Sequence, residues 1–141
     1  MTLPFPPSPE PPDGLDASAP APQADTVLDA AALANLAQLD PTGANRLLQR
    51  VLTTYRSSMA RLLAQLVQAR AQDDPGTQRL VAHTLKSSSA SVGALLLSGV
   101  CGEAEKALRE GRHDALPALL DQLVAESARV DRAVLQLLAD L

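Results

Sequence analysis

Residues 82–94, AHTLKSSSASVGA, place a histidine beside residues that suit the handling of a charged group. Lys86 follows His83 by three positions, and a run of small side chains comes next. Side chains three apart on a helix are neighbours, so Lys86 would stand next to His83. An exposed imidazole is nucleophilic and mostly uncharged at pH 7, since an unperturbed histidine has a pKa of about 6.5. The pair therefore suits phosphoryl transfer, in which Lys86 would neutralise part of the phosphoryl charge.

A helical wheel of this segment predicts that His83 faces solvent. With Val81 as the origin and about 100° per residue, a core stripe lies within about 40° of Val81. The other members of this stripe are Leu85, Ser88 and Val92. His83 lies at about 200°, and the residues within about 60° of it are basic or small. These neighbours are Arg79, Lys86, Ser87 and Ala90. Such a surface would let another folded domain bring its active site onto the imidazole.

The composition and the hydrophobic periodicity favour an all-α protein. Leu and Ala dominate, whereas aromatic residues make up only 1% of the chain. The apolar spacing predicts an antiparallel four-helix bundle with a short additional N-terminal helix. The predicted helices run from about Val27 to Leu39, Thr42 to Gln72, Thr77 to Ser91, Ala94 to Glu110 and Asp114 to Asp140.

The N-terminal segment differs in composition from the rest of the chain. Residues 1–25 hold most of the prolines and four acids without a base, which predicts a Pro-rich, acidic, disordered linker. Residues 26–141 would form the bundle domain, in which acids and bases balance. A neutral domain lacks the basic footprint of a nucleic-acid-binding protein.

The remaining features favour a cytoplasmic domain without direct membrane contact. The N-terminus lacks the pattern of a signal peptide, and the longest apolar run is too short to span a bilayer. Cys101 is the single cysteine and falls on an apolar stripe, so we predict a small buried thiol. His113 lies in a predicted loop and is expected to be an ordinary solvated residue. The sequence contains no Cys/His cluster of the kind that would predict a metal site.

The run H83-T84-L85-K86-S87-S88-S89-A90-S91-V92-G93-A94 resembles the signature of histidine-containing phosphotransfer (HPt) domains. The segment around Cys101 to Glu105, and the later Arg109-Glu110-Gly111, resemble the next helix of that family. The resemblance covers roughly residues 27 to 140. It implies a five-helix domain that receives a phosphoryl group from the aspartyl phosphate of one receiver domain and passes it to another.

The resemblance also implies a role for each matching residue. His83 matches the phosphorylated histidine, Lys86 the lysine that contacts the phosphoryl group, and Ser88 a small residue packed beneath the site. Gly93 matches the glycine that ends the helix. Ser87 departs from the pattern, since the family usually has glycine there. The remaining residues expected to border the site and meet a partner are Arg79, Ala90, Glu105 and Arg109.

Three functions remain open from the sequence. The first is a phosphorelay intermediate without autonomous catalysis, whose receiver partner supplies the aspartate and Mg²⁺ while the domain itself needs no cofactor. The second is a non-catalytic module that docks a receiver domain or another partner without phosphotransfer. The third, the phosphoacceptor half of a histidine kinase, fits less well because Thr84 stands where that family usually has an acid. We expect a bacterial monomer, either a free shuttle or the C-terminal module of a hybrid sensor kinase acting in cis, whose parent chain could be membrane-anchored.

Overall fold

The computed structural model describes residues 27–141, which form five helices and contain no strand. We number these helices α1 to α5 in chain order: Ala30–Gln38, Leu47–Ala71, Pro75–Ser91, Leu95–Glu110 and Leu116–Asp140. The predicted all-α class, with four long helices and one short N-terminal helix, is confirmed. The predicted disordered linker, residues 1–25, lies outside the described residues.

Helices α2 to α5 form a closed antiparallel bundle in which each packs against the next and α5 returns to α2. Its core is aliphatic and includes fully buried leucines from every long helix: Leu52, Leu66, Leu85, Leu97, Leu120 and Leu123. Burying one such side chain contributes about 1.5–3 kcal/mol, so the apolar stripes hold the bundle together. None of the helices within residues 27–141 is long and apolar enough to cross a membrane.

The most extensive contact in the bundle joins α3 to α4, because small side chains fill their interface. Ala82 and Ser89 on α3 and Cys101 and Ala104 on α4 are all fully buried. Tyr55 of α2 reaches this region, where its hydroxyl lies 2.8 Å from the Ser89 hydroxyl. The two helices that border the histidine are therefore held close together and in a fixed register.

The start of α2 differs from the prediction. The periodicity placed it near Thr42, but the helix begins at Leu47. The Asp40 carboxylate accepts hydrogen bonds from the backbone N–H groups of Asn45 and Leu47, and it holds the intervening loop out of the helix. Arg46, with a φ of 51°, also has a left-handed backbone that no helix interior contains.

Helix α3 begins two residues before its predicted start. Asp74 is its N-cap, and the Asp74 carboxylate accepts a hydrogen bond from the Thr77 N–H at 3.1 Å. Pro75 occupies the first helical position, where its missing N–H costs nothing. The interval between the two predicted helices, residues 73–76, therefore contains the first residues of the helix.

The segment leading into α1 is anchored to the turn between α3 and α4. Leu28 is buried, and the Asp29 N–H donates a 2.7 Å hydrogen bond to the Gly93 carbonyl. Gly93 ends α3 as predicted, with a φ of 83°. A Cβ there would also lie 2.9 Å from the Asp29 backbone, so the close approach requires glycine as well.

Candidate functional site

His83 projects outward from the middle of α3. Its side chain is 61% exposed, in agreement with the helical wheel. The neighbouring positions Val81, Ala82 and Leu85 are fully buried and fix the rotation of the helix. The imidazole is therefore accessible to another macromolecule while its helix is held rigidly by the core.

Glu105 of α4 connects His83 to Lys86. Its Oε2 lies 2.8 Å from His83 Nδ1, and its Oε1 lies 2.6 Å from Lys86 Nζ. The sequence analysis expected Glu105 to border the site and to meet a partner. Glu105 does border the site, with a side chain that is only 10% exposed. The carboxylate lies behind the imidazole and accepts hydrogen bonds from both His83 and Lys86.

The ionisation of Glu105 decides which nitrogen of His83 carries the proton. The hydrogen bond from Lys86, reinforced by the one from His83, holds the pKa of Glu105 below its usual range, although partial burial opposes this. An ionised carboxylate accepts hydrogen bonds and donates none. His83 Nδ1–H is therefore the donor, so the lone pair of the neutral imidazole lies on Nε2, on the solvent side.

The Lys86 side chain lies across α4. A Cβ on Gly102 would sit 3.5 Å from Lys86 Cδ, which is van der Waals contact, so the lysine stem runs close over the backbone of α4 at this position. The Ser98 hydroxyl donates a 2.9 Å hydrogen bond to the backbone carbonyl of Lys86. The bond from Ser98 holds the backbone of Lys86 against α4, and the side chain runs from there toward Glu105.

The other predicted neighbours of His83 remain at the surface. Arg79, Ser87 and Ala90 are exposed on α3, as the wheel predicted, and Arg109 is exposed on α4 one turn beyond Glu105. Neither Arg79 nor Arg109 forms a salt bridge with another residue in the range 27–141. Two exposed cations thus lie about one helical turn from His83 and from Glu105 along their own helices.

Ser88 does not pack beneath the site. It is half-buried, its hydroxyl donates to the Leu85 carbonyl, and it lies about 140° around the helix from His83. The fully buried serine of α3 is Ser89, because α4 packs against the side of α3 that carries Ala82 and Ser89. The predicted buried face of α3 is therefore rotated about the helix axis from the face that packs against α4.

Cys101 and His113 have the predicted surroundings. Cys101 is fully buried, and burial raises the pKa of its thiol to about 12. This keeps the thiol protonated and makes a redox role unfavourable. His113 is exposed in the turn before α5. Within residues 27–141, no three His, Cys, Asp or Glu side chains come together as a metal-binding group.

The family model described as "Hpt domain" matches residues 50–139, which include His83, Lys86 and Glu105. The chain belongs to the Hpt domain family. Members of this family act in phosphorelays through a phosphorylated histidine and interact with receiver domains, so this Hpt domain has a histidine phosphotransfer role.

A solved structure supports the same assignment. The Hpt domain is similar to histidine-containing phosphotransfer protein B (HptB) from Pseudomonas aeruginosa PAO1, with 30% sequence identity and a TM-score of 0.73. The match covers 82% of this chain and 96% of HptB. No curated protein matches the chain.

The contact between His83 and Glu105 is the functional feature that the sequence analysis missed. One signal was available: Glu105 follows Ala104 and precedes Leu108 at the edge of the apolar stripe of α4. An acid in that position needs a partner when the stripe is buried. The wheel of α4 alone does not identify the partner, because the partner belongs to another helix.

Proposed function

We propose that His83 accepts a phosphoryl group on Nε2 from the aspartyl phosphate of one receiver domain and passes it to a second receiver. The observation that carries this proposal is the hydrogen bond from His83 Nδ1 to the ionised Glu105. In the neutral imidazole this bond keeps the proton on Nδ1, so the lone pair that a nucleophile requires lies on the exposed Nε2.

Transfer from the aspartyl phosphate of the first receiver to His83 requires no further reactant. The Nε2 lone pair attacks phosphorus, an N–P bond forms, the P–O bond to the receiver aspartate breaks, and the aspartate leaves as a carboxylate. The imidazole ring becomes positively charged and keeps its Nδ1 proton. Glu105 lies 2.8 Å from Nδ1, so its carboxylate stabilises the charge that develops on the ring. Transfer to the second receiver is the reverse of this step.

Lys86 stabilises the phosphoryl group. Its ammonium lies against Glu105 Oε1 and its side chain is 38% exposed, so it can also face an oxygen of a phosphoryl group on His83. Because it is shared between two anions, Lys86 balances the charge of Glu105 before transfer and that of the phosphoryl group afterwards. Gly102 leaves the lysine stem room for this movement.

We assign Mg²⁺ and the acceptor aspartate to the receiver domain. Glu105 is the carboxylate in contact with His83, and both of its oxygens already accept hydrogen bonds, from His83 and Lys86. These residues do not fit a metal site. We also place the Hpt domain in the cytoplasm with its receivers, as a shuttle or as a module of a hybrid sensor kinase.

The test is transfer from purified, phosphorylated receiver domains to wild type, His83→Gln and His113→Gln. The second variant is the matched control, since His113 is also exposed. We expect acid-labile, base-stable label on wild type and His113→Gln and none on His83→Gln. Phosphorus NMR should assign the label to Nε2.

Two results would contradict the proposal. Label on His83→Gln at the wild-type rate would exclude His83 as the acceptor. A folded wild-type domain that binds a receiver but takes no label from any receiver would favour the alternative function, in which the domain docks its partner without phosphotransfer.

A further inference from the structure

A groove between α2 and α3 forms a surface separate from that of the histidine. Its volume is about 490 Å³. Among the residues that line it, Tyr55 and Val92 are buried and Val51 is half-buried, so its floor is apolar. Ser88 also lines the groove, and it lies about 140° around α3 from His83. A molecule that binds in the groove therefore leaves the imidazole accessible.

The rim of the groove offers positive charge and hydrogen-bond donors. Arg50 lines it, and Arg61 lies beside it, where its Nη2 is 3.4 Å from the hydroxyl of the lining residue Ser58. Both arginines are exposed, and neither forms a salt bridge with another residue in the range 27–141. Thr54 adds an exposed hydroxyl. Helices α2 and α3 contain six basic residues and no acidic one, so neither helix neutralises this rim.

The opposite chemistry lies in the part of the chain that precedes the described residues. Residues 1–26 contain four acids and no base. They also contain eight prolines, each of which has a backbone carbonyl but no N–H. The segment therefore has negative charge and an excess of hydrogen-bond acceptors over donors. Its acids are Glu10, Asp13, Asp16 and Asp25.

The segment joins the domain at one end of the groove. The Asp29 N–H donates a 2.7 Å hydrogen bond to the Gly93 carbonyl, and the preceding Leu28 is buried. Gly93 directly follows Val92, which lines the groove together with Arg50. The segment therefore starts close to the Arg50 end of the groove, and this attachment gives its acids a high effective concentration there.

We propose that residues 1–26 bind in cis along the groove between α2 and α3, with their acids against Arg50 and Arg61. The two arginines are about 16 Å apart along α2, at 1.5 Å per residue. Glu10 and Asp16 can span up to about 20 Å, at about 3.3–3.6 Å per residue, so one segment can reach both arginines. Since the segment enters at the Arg50 end, Asp16 meets Arg50 and Glu10 meets Arg61.

The attachment of the segment makes weak contacts sufficient. One exposed ion pair contributes little on its own, because water and salt screen it. Here two arginines and the hydroxyls of the rim act together on a segment that is already held nearby, so ordering it costs less than capturing a free peptide. Leu15 lies between the two acids and can pack on the apolar floor. The interaction is therefore intramolecular, and it weakens as salt increases.

Paramagnetic relaxation measures which face of the bundle the segment contacts. The full chain, with ¹⁵N-labelled amides, carries a nitroxide on Ser18→Cys or, in a second sample, on Ser8→Cys. Cys101 does not compete for the nitroxide reagent, because it is fully buried and burial raises the pKa of its thiol to about 12. A nitroxide broadens the signals of amides near it, so the two positions report the two ends of the groove separately.

At about 0.01 M salt, the nitroxide at position 18 should broaden the amide signal of Ser91, and that at position 8 the signal of Ser58. Each signal should lose more than about half of its intensity, since attachment favours the bound form. The amide of Leu135, which is exposed on α5, should keep its intensity. The broadening should disappear near 1 M salt, where the Debye length is only about 3 Å.

Arg50→Glu should restore most of the Ser91 signal at low salt, because the reversed charge repels the segment. Arg132→Glu is the matched control, since Arg132 is exposed on α5, and it should leave the broadening unchanged. Arg50→Lys keeps the charge and should keep most of the broadening. The amide spectrum shows whether each variant is folded. A neutralised segment should behave like Arg50→Glu, and its changes are Glu10→Gln, Asp13→Asn and Asp16→Asn.

Three outcomes would overturn the proposal. The first is that the nitroxide at low salt broadens the groove amides no more than those of α5. The second is equal broadening in Arg50→Glu and wild type. The third is broadening in a mixture of spin-labelled chain without ¹⁵N and ¹⁵N-labelled chain without a nitroxide, because the segment would then bind a second copy. No step uses phosphotransfer, so failure of this proposal is distinct from failure of the proposed function.

Discussion

Glu105 Oε2 lies 2.8 Å from His83 Nδ1, although the two residues are 22 positions apart on different helices. The same carboxylate binds Lys86 through its other oxygen. The histidine and the lysine, which are neighbours on α3, are thus connected through α4. This contact fixes the imidazole and distinguishes its two nitrogens.

Two substitutions of Glu105 should slow phosphotransfer to different extents. Glu105→Gln keeps an acceptor for Nδ1–H but loses the charge, and the loss of about 1.4 kcal/mol corresponds to roughly tenfold in rate. Glu105→Ala also frees the imidazole to adopt either tautomer and should lose more. Initial rates of labelling by a receiver and by phosphoramidate would measure both effects. Equal rates for both variants would refute the role in orienting the imidazole, and equality with wild type would refute the role of the charge.

The pH dependence of stability should report the ionised state of Glu105. Its folded-state pKa lies below the ordinary value because Lys86 and His83 donate hydrogen bonds to the carboxylate. The stabilisation is therefore fully present above the unfolded-state pKa of about 4.3 and is lost as the pH falls through the lower folded-state value. Thermal unfolding of wild type and Glu105→Gln between pH 3 and 7 should show a difference that closes at the acidic end.

Glu103→Gln is the control for that measurement, because Glu103 is exposed on the same helix and forms no salt bridge within residues 27–141. Its difference from wild type should be small and nearly independent of pH. A Glu105→Gln difference that stays constant down to pH 3 would contradict the ionised, doubly bonded carboxylate.

Gly93→Ala should destabilise the domain more than the same change at Gly111. Both glycines have positive φ, 83° and 70°, and a left-handed alanine costs about 1–2 kcal/mol at either position. The added Cβ meets nothing at Gly111 but lies 2.9 Å from the Asp29 backbone at Gly93. We expect about 2–4 kcal/mol for Gly93→Ala and about 1 kcal/mol for Gly111→Ala, measured by urea unfolding. Equal losses would mean that the contact with Asp29 contributes nothing.

The buried hydrogen bond between Tyr55 and Ser89 should appear as a coupling energy. Tyr55→Phe or Ser89→Ala alone leaves one buried hydroxyl without its partner, at a cost of about 1–3 kcal/mol. The double variant should lose clearly less than the sum of the single losses. Strictly additive free energies of unfolding would show that the two hydroxyls do not depend on each other.

The raised pKa of Tyr55 predicts that the domain loses stability at high pH. Burial raises its pKa to about 12 from its ordinary value of 10. A raised pKa stabilises the fold fully below the unfolded-state value, so stability should fall as the pH rises from about 10 toward 12. Cys101 acts in the same direction, because burial raises its pKa to about 12 as well. Tyr55→Phe should lose less stability over this range than wild type when unfolding is followed by circular dichroism.

Hydrophobic periodicity did not predict every helix boundary. Gly93 and Gly111 end their helices as expected, because left-handed backbone is a local property of glycine. The start of α2 was misplaced because the Asp40 carboxylate bonds Leu47 N–H seven residues later. A capping hydrogen bond across a loop does not alter the spacing of apolar residues in the sequence. A helical wheel therefore cannot predict it.

The sequence by itself determined the four amphipathic stripes, the outward position of His83 and the neighbouring position of Lys86. These features follow from one helix at a time, since 3.6 residues per turn fixes which side chains share a face. Only the tertiary structure decided that Ser89 rather than Ser88 is buried and that Glu105 bonds His83. Both depend on the rotation and register of α4 against α3, which close packing of the small side chains between them sets.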